Sequence, residues 1–358
     1  MNASIDIEFS SALSNRTGKY FIGRALLDLF PEQVQRLLFW RVSCNHVPRG
    51  IIAKALGKAI SLEHRFRLPD IDGSRFKMSG GRPVLHLDPF SVCHWSLRPQ
   101  DIVLCHDVGP LTHADLFDRD VTRLYEAAYQ YIHAKKPRMV FVSHSTMIAF
   151  ISAVGEMPDM RVIYPPIRSG FNEAEPERVD IVGATFLLTV GNVGARKNHR
   201  MAIEAYRASG LHQEGVQYVI CGGREPGWEN VVEIASRTPG VILLPYVSEG
   251  SLRWLYEHAA GFLLPSRLEG FGLPAAEAIN YNLVPIVPEG SVLHEVSGDG
   301  ALLVDACDTQ SISGAMNALV RMNAEERANR LSLLHTAVER FDTQRFAQGW
   351  SAVLGKTT

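Results

Sequence analysis

Short apolar runs alternate along this chain with longer segments of helical periodicity. Ile5-Asp6-Ile7-Glu8-Phe9 alternates apolar and polar positions and predicts a strand. A polar turn through Asn15-Arg16-Thr17-Gly18 leads to a helix near 20–33, and a second strand is expected over 34–42. Ile51, Ile52, Ala55, Leu56 and Ala59 recur at helical spacing, which predicts an amphipathic helix packed on a core through that face. Strands are expected at 83–87, 101–105, 138–142 and 161–164, with a long helix across 113–134. Residues 165–177 break all periodicity and read as a linker. The alternation then restarts, with strands at 184–190, 216–221, 241–244, 260–264, 284–287 and 301–304. Helices alone fill 309–321, 324–338 and 342–354. Two blocks of this kind predict two doubly wound α/β domains, Rossmann-like, facing a central cleft. The expected division is an N-terminal domain over 1–168, a linker at 169–180, a C-terminal domain over 181–340, and a helix at 341–358 that crosses back.

Composition agrees with that layout. At 358 residues the chain is long for one core, and 46% hydrophobic with 21% charged residues is ordinary for a globular protein. A net charge of −2 excludes a globally basic nucleic-acid binder. The five cysteines are scattered without a Cys-x-x-Cys pair, which favours free thiols in a reducing compartment. Met1–Asp6 lacks a basic start and a following apolar run, and no stretch approaches a spanning length, so a cytoplasmic location is expected. One region stands apart. Residues 41–82 carry nine basic residues against three acidic, with Lys54 and Lys58 beside the apolar positions of the 51–59 helix. A solvated basic face is one reading, and a helix resting on anionic lipid at the inner face of the membrane is the other.

The densest chemistry lies in Pro265-Ser266-Arg267-Leu268-Glu269-Gly270-Phe271-Gly272-Leu273-Pro274-Ala275-Ala276-Glu277, directly after an apolar strand. Glycine-rich backbone opening a helix binds anions, because unpaired N–H groups and the helix dipole point outward. Glu269 and Glu277, the latter expected in the first helical turn, would repel a phosphate and must face hydroxyls. A nucleotide-sugar satisfies both demands. Arg196 and Lys197, in the loop after the first strand of the second block, supply cations for a departing diphosphate. His106, at the end of the Ile102-Val103-Leu104-Cys105 strand, is placed to meet a substrate, as are His113 and His144, and spacing alone does not choose among the three. The bland readings are Glu277 complementing the helix dipole and Glu269 paired with Arg267 or Arg253.

Glu269-Gly270-Phe271-Gly272-Leu273-Pro274-Ala275-Ala276-Glu277 fits the Glu-x7-Glu motif of glycosyltransferase family 4, and Val190-Gly191-Asn192-Val193-Gly194-Ala195-Arg196-Lys197-Asn198 is similar to that family's phosphate loop. Tyr246–Glu249 and Ser291–Val296 resemble its flanking segments, so the resemblance spans about 184–321. The first half matches more sparsely, through Thr17-Gly18 near Arg24 and through His106-Asp107-Val108-Gly109-Pro110-Leu111-Thr112-His113. The resemblance implies a GT-B fold and retaining transfer of a hexose, with mannose from GDP-mannose favoured, to a glycan or polyprenyl-diphosphate-linked acceptor. It also implies that no metal or other cofactor is needed. By the same resemblance Glu269 contacts the transferred sugar and Glu277 the ribose. Arg196, Lys197, Gly18 and the amides at Gly270, Phe271 and Gly272 hold the diphosphate, and His106 lies by the reaction centre. Asn192 stands where many members carry Arg, and Asn280-Tyr281-Asn282 replaces the usual small residues after the motif helix.

The rivals are a UDP-sugar-dependent member, a catalytically silent nucleotide-sugar scaffold, and a hydrolase using Glu269 and Glu277 as acid and nucleophile. A dinucleotide oxidoreductase fits least, since no Gly-x-Gly-x-x-Gly follows the first strand.

Overall fold

The computed structural model describes residues 4–13, 18–40, 42–48, 50–66, 81–168 and 173–355. The chain divides into two compact units, one formed by 1–166 with 343–358 and the other by 167–342.

The first unit runs β1 (Ile5–Glu8), α1 (Gly18–Leu29), β2 (Val34–Phe39), β3 (Val42–Cys44), α2 (Gly50–Phe66), β4 (Val84–His86), β5 (Ile102–Cys105), α3 (Gly109–Thr112), α4 (Arg119–Lys135), β6 (Arg138–Phe141), α5 (His144–Ala153) and β7 (Met160–Val162). Its sheet has the order β3-β2-β1-β4-β5-β6-β7, parallel except for β3. The strand expected over 34–42 is therefore a hairpin. Trp40 takes a left-handed turn at φ 57°, and β3 pairs antiparallel at the sheet edge. The helix expected across 113–134 starts only at Arg119. Gly109-Pro110 opens a separate turn, and a short 3₁₀ turn at Ala114–Leu116 intervenes. β1, β4 and β5 are buried along their whole length, as expected for central strands covered on both faces, and in β1 this burial includes Asp6 and Glu8.

The second unit runs β8 (Phe186–Val190), α6 (His199–Ser209), β9 (Gln217–Cys221), α7 (Trp228–Ser236), β10 (Val241–Leu244), α8 (Glu249–His258), β11 (Gly261–Leu263), α9 (Leu273–Asn280), β12 (Pro285–Pro288), α10 (Val292–Ser297), β13 (Leu302–Val304), α11 (Thr309–Val320) and α12 (Ala324–Val338). All six strands are parallel, in the order β10-β9-β8-β11-β12-β13. Side-chain caps set several helix starts: Ser248 Oγ accepts from Ser251 N, and Asn323 Oδ1 from Glu326 N. The last helix, α13 (Thr343–Leu354), belongs to the first unit. Its Val353 carbonyl accepts from Arg138 Nη2 at 2.6 Å, and Phe346 and Trp350 are buried.

In both sheets strand order reverses once, between β1 and β4 and between β8 and β11. Loops leaving the carboxyl ends of such a pair diverge to opposite faces and open a crevice, where open α/β sheets bind ligands. Among the described residues no helix is long and apolar enough to cross a membrane.

One expectation fails on α2. Ile51 and Ile52 are not core residues but 86% and 66% exposed, and Ala55 is exposed with them. The helix instead turns Leu56, Gly57 and Ile60 inward, with Gly57 close against Leu13. Lys54 and Lys58 lie on the exposed side with the isoleucines. Of the remaining basic positions in 41–82, Arg41, Arg49, Arg67, Arg75 and Lys77 lie outside the described residues.

Candidate active site

The switch point of the second unit brings the Arg196-Lys197 loop, which follows β8, against the 265–272 loop, which follows β11. The paired ladder between these strands runs only from Gly261 to Phe262. Beyond it Thr189 Oγ1 donates to the Leu263 carbonyl at 2.5 Å, holding the strand ends together where the loops part. Arg267 N then donates to the Arg196 carbonyl at 2.9 Å, so the two loops share a backbone bond.

Glu269 is the meeting point of the site. Its Oε1 accepts from Lys197 Nζ at 2.5 Å and from Ser266 Oγ at 2.9 Å, while Oε2 accepts from Arg196 Nη1 at 3.4 Å. Arg196 also reaches Glu225 Oε2 at 3.2 Å. Burial pushes the Glu269 carboxyl up, but Lys197 and Arg196, with hydrogen bonds from Lys197 and Ser266, outweigh it and hold the pKa at about 2. The group is thus a permanent carboxylate at any physiological pH. The bland alternative is a pairing with Arg267 or Arg253; the ion pairs of Glu269 are with Lys197 and Arg196, and Arg253 pairs with Glu257 at 2.6 Å.

Backbone geometry explains the glycines that matter. Gly191 sits at φ 141°, and a Cβ there would fall 2.7 Å from Lys197 Cε, so the lysine stem lies directly over that glycine. Gly272 caps α9 at φ 90°, where a Cβ would strike Leu293. Phe271 is buried against Phe341, with ring centroids 4.9 Å apart. Gly270, just before them, completes the turn that delivers the chain to the helix start.

Glu277 is the fifth residue of α9, beyond the first turn, so dipole complementation does not account for it. It is wholly buried. Arg168 Nε donates to its Oε1 at 2.5 Å, and Tyr256 Oη to its Oε2 at 3.1 Å. Burial disfavours the Arg168 charge, but Glu277 more than compensates and raises its pKa. Sequence reasoning gives Arg168 no role, because it sits in an aperiodic segment 109 positions from its partner.

In the first unit, His106 follows β5 and places Nε2 3.0 Å from the Leu87 carbonyl. A carbonyl only accepts, so Nε2 carries the proton and Nδ1 is the lone-pair nitrogen of the neutral ring. Burial, aided by Lys19, lowers its pKa to about 4, so it is neutral near pH 7. His113 Nδ1 meets Thr112 Oγ1 at 2.9 Å, and His144 is exposed against Tyr164. Gly18 begins α1 and is followed by Lys19, which pairs with buried Asp88 and lies 3.2 Å from Tyr125 Oη. Tyr125 Oη donates to Asp88 at 2.8 Å. Burial opposes the Lys19 charge, but Asp88, Tyr125 and Asp107 overcome this and push its pKa up. Sequence reasoning misses this Lys19–Asp88–Tyr125 cluster beside His106. Its members come from three separate segments, and only Gly18-Lys19 adjoins a recognisable motif.

Residues 172–332 match the family model described as glycosyl transferases group 1. The chain is similar to the O-antigen chain mannosyltransferase B of Escherichia coli, 33% identical over 133 residues, which covers 36% of this chain and 35% of that protein. It is also similar to the O-antigen chain mannosyltransferase RfbU of Salmonella typhimurium, 26% identical over 258 residues, 70% of this chain and 68% of that one. Among solved structures, Anabaena HepE in complex with UDP and glucose aligns over 99% of both chains at a TM-score of 0.68 and 14% identity. An α,α-trehalose 6-phosphate synthase from Burkholderia multivorans aligns over 72% of this chain and 70% of its own, at a TM-score of 0.55 and 16% identity. The match to a group 1 glycosyltransferase model thus falls within the second unit, and two parallel-sheet α/β units are the fold of GT-B glycosyltransferases.

Proposed function

We propose that this protein is a retaining glycosyltransferase of family 4 that moves a hexose from a nucleotide-diphosphate donor to a glycan or lipid-linked acceptor during surface polysaccharide synthesis. The observation that carries the reading is the Arg196–Lys197–Glu269 cluster at a sheet switch point, beside the Gly272-capped start of α9. Two cations there meet the charge that grows on a departing diphosphate, and the helix amides add to them. Mannose from GDP-mannose is the favoured donor, supported by the mannosyltransferase names of the two relatives.

In the proposed step the bond from the sugar's anomeric carbon to the diphosphate oxygen breaks, and the acceptor oxygen bonds to the same face. The acceptor's proton passes to the leaving diphosphate oxygen, so no protein nucleophile and no metal or other cofactor is required. Glu269 serves by accepting sugar hydroxyls and aligning Lys197, and Glu277 by accepting ribose hydroxyls. His106 offers Nδ1 as acceptor to a hydroxyl near the reaction centre, while Gly18 and the amides around Gly270, Phe271 and Gly272 approach the phosphates. The hydrolase reading loses ground on chemistry: a general acid needs a raised pKa, and Glu269 is held at about 2.

Thermal shift with nucleotide-sugars tests this reading, since a ligand that binds the native state raises Tm by mass action. GDP-mannose is expected to raise Tm by several degrees and to be turned over. A larger shift with UDP-glucose assigns a UDP-linked donor instead. Binding without transfer to any lipid-linked acceptor favours a silent scaffold.

The same reading includes contact with an anionic membrane through α2, supported by exposed Ile51 and Ile52 flanked by Lys54 and Lys58. A cytoplasmic location at the inner face of the membrane follows from it. Vesicles containing phosphatidylglycerol are expected to bind the wild type, and the Ile51→Glu/Ile52→Glu double variant at least about tenfold more weakly. Equal binding by both proteins would remove the helix from the contact.

A further inference from the structure

We propose that Arg168 is a specificity-determining residue that caps Glu277 and must be displaced by the ribose of an incoming nucleotide. This rests on the reading of the second unit as a nucleotide-sugar domain. The carboxylate expected to take the ribose hydroxyls has no exposed side-chain surface, and each of its oxygens already accepts a hydrogen bond. Something that covers it has to move before a ribose reaches it.

The two donors differ in exposure. Tyr256 is fully buried, with its ring stacked on Phe262 at 6.1 Å and on Tyr281 at 5.3 Å. Its hydroxyl also lies 3.5 Å from the Pro274 carbonyl at the start of α9. Arg168 has 26% of its side chain exposed and donates to the carboxylate from that partly exposed position. It rides on an aperiodic segment before β8, anchored by the neighbouring Ile167 N donating to the Phe341 carbonyl at 3.1 Å. A vicinal diol can replace a guanidinium on a carboxylate, since it also presents parallel donors. Tyr256 then stays as the fixed partner of Oε2, and the diol takes over Oε1.

Two consequences follow. Affinity for the nucleotide is lowered by the fraction of time the cap is in place. The preference for a ribose over a ligand without the diol is lowered with it, because only a ligand whose hydroxyls reach Glu277 has to displace Arg168.

Isothermal titration of GDP and UDP, each beside its 2′,3′-dideoxy analogue, tests the proposal on the full chain. Arg168→Gln keeps a neutral donor over Glu277 but removes the charge. It is expected to bind the better ribonucleotide about 3- to 10-fold more tightly than the wild type, with the dideoxy analogue unchanged. Arg168→Lys, which keeps the charge and guards against a folding defect, is expected to show a smaller gain of the same kind. Ribonucleotide binding that is unchanged or weakened in both variants would overturn the cap, because Arg168 would then only hold Glu277 in place. An equal gain for ribo and dideoxy forms would overturn it as well. Failure of the wild type to bind either nucleotide is a separate result, and it would remove the nucleotide-sugar reading itself along with the cap.

Discussion

Glu269→Gln is expected to lower sugar transfer on the order of a thousandfold while leaving a folded protein. The substitution keeps the shape of the side chain and removes the charge that Lys197, which is buried, and Arg196 share. Without it the two cations repel each other and lose their common anchor, and Lys197 is no longer held in line with Arg196, which keeps only Glu225 as its carboxylate partner among the described residues. A second readout separates this from a general loss of structure. The Glu269 carboxyl has a pKa of about 2 against 4.5 for an unperturbed one. Because the folded value is depressed, the associated stability, about 3 kcal/mol, is fully present above pH 4.5 and is lost as pH falls toward 2. Acid unfolding followed by circular dichroism should show that component in the wild type and lack it in the variant. A variant with ordinary turnover would end the assignment of Glu269 to the site.

Lys197→Met is expected to reduce kcat/KM for the donor by about 10²- to 10³-fold, through kcat as well as KM. Methionine preserves the apolar stem lying over Gly191 and removes only the ammonium. Lys197 is the more buried of the two cations, with 6% of its side chain exposed against 26% for Arg196. Its charge therefore acts through less water, while Arg196 divides its guanidinium between Glu269 and Glu225. Steady-state kinetics on the two single variants should rank Lys197 above Arg196. The reverse ranking would move the diphosphate toward Arg196 and Glu225.

Much of this architecture is legible in the order of residues. The apolar runs at 184–190 and 216–221 specify strands because parallel strands buried on both faces are largely apolar. Local rules also locate the glycine-rich loop, its helix start and the Arg-Lys pair. They fail where a distant contact overrides local preference. The 51–59 helix is legible from its period, yet which face turns inward depends on what packs there. The helix meets the 3₁₀ turn at Ser10–Leu13 through Gly57, which lies against Leu13, and Leu56 and Ile60 are covered while Ile51 and Ile52 are exposed. The 34–42 run reads as continuous because the apolar residues Leu37-Leu38-Phe39-Trp40 carry no sign of the left-handed turn at Trp40.

Sequence by itself determined the α/β class, the two-block order of strands, and the residue types able to meet a nucleotide-sugar, since these depend on periodicity and on side-chain chemistry. Tertiary structure alone decided the partners. That Glu269 binds Lys197 rather than Arg267 follows from β8 and β11 being neighbours at the switch point, a pairing between residues 72 positions apart. That Glu277 is capped by Arg168 and braced by Tyr256 depends on segments 109 and 21 positions away. Such contacts have no local signature, because side chains far apart along the chain meet only through the sheet that carries them.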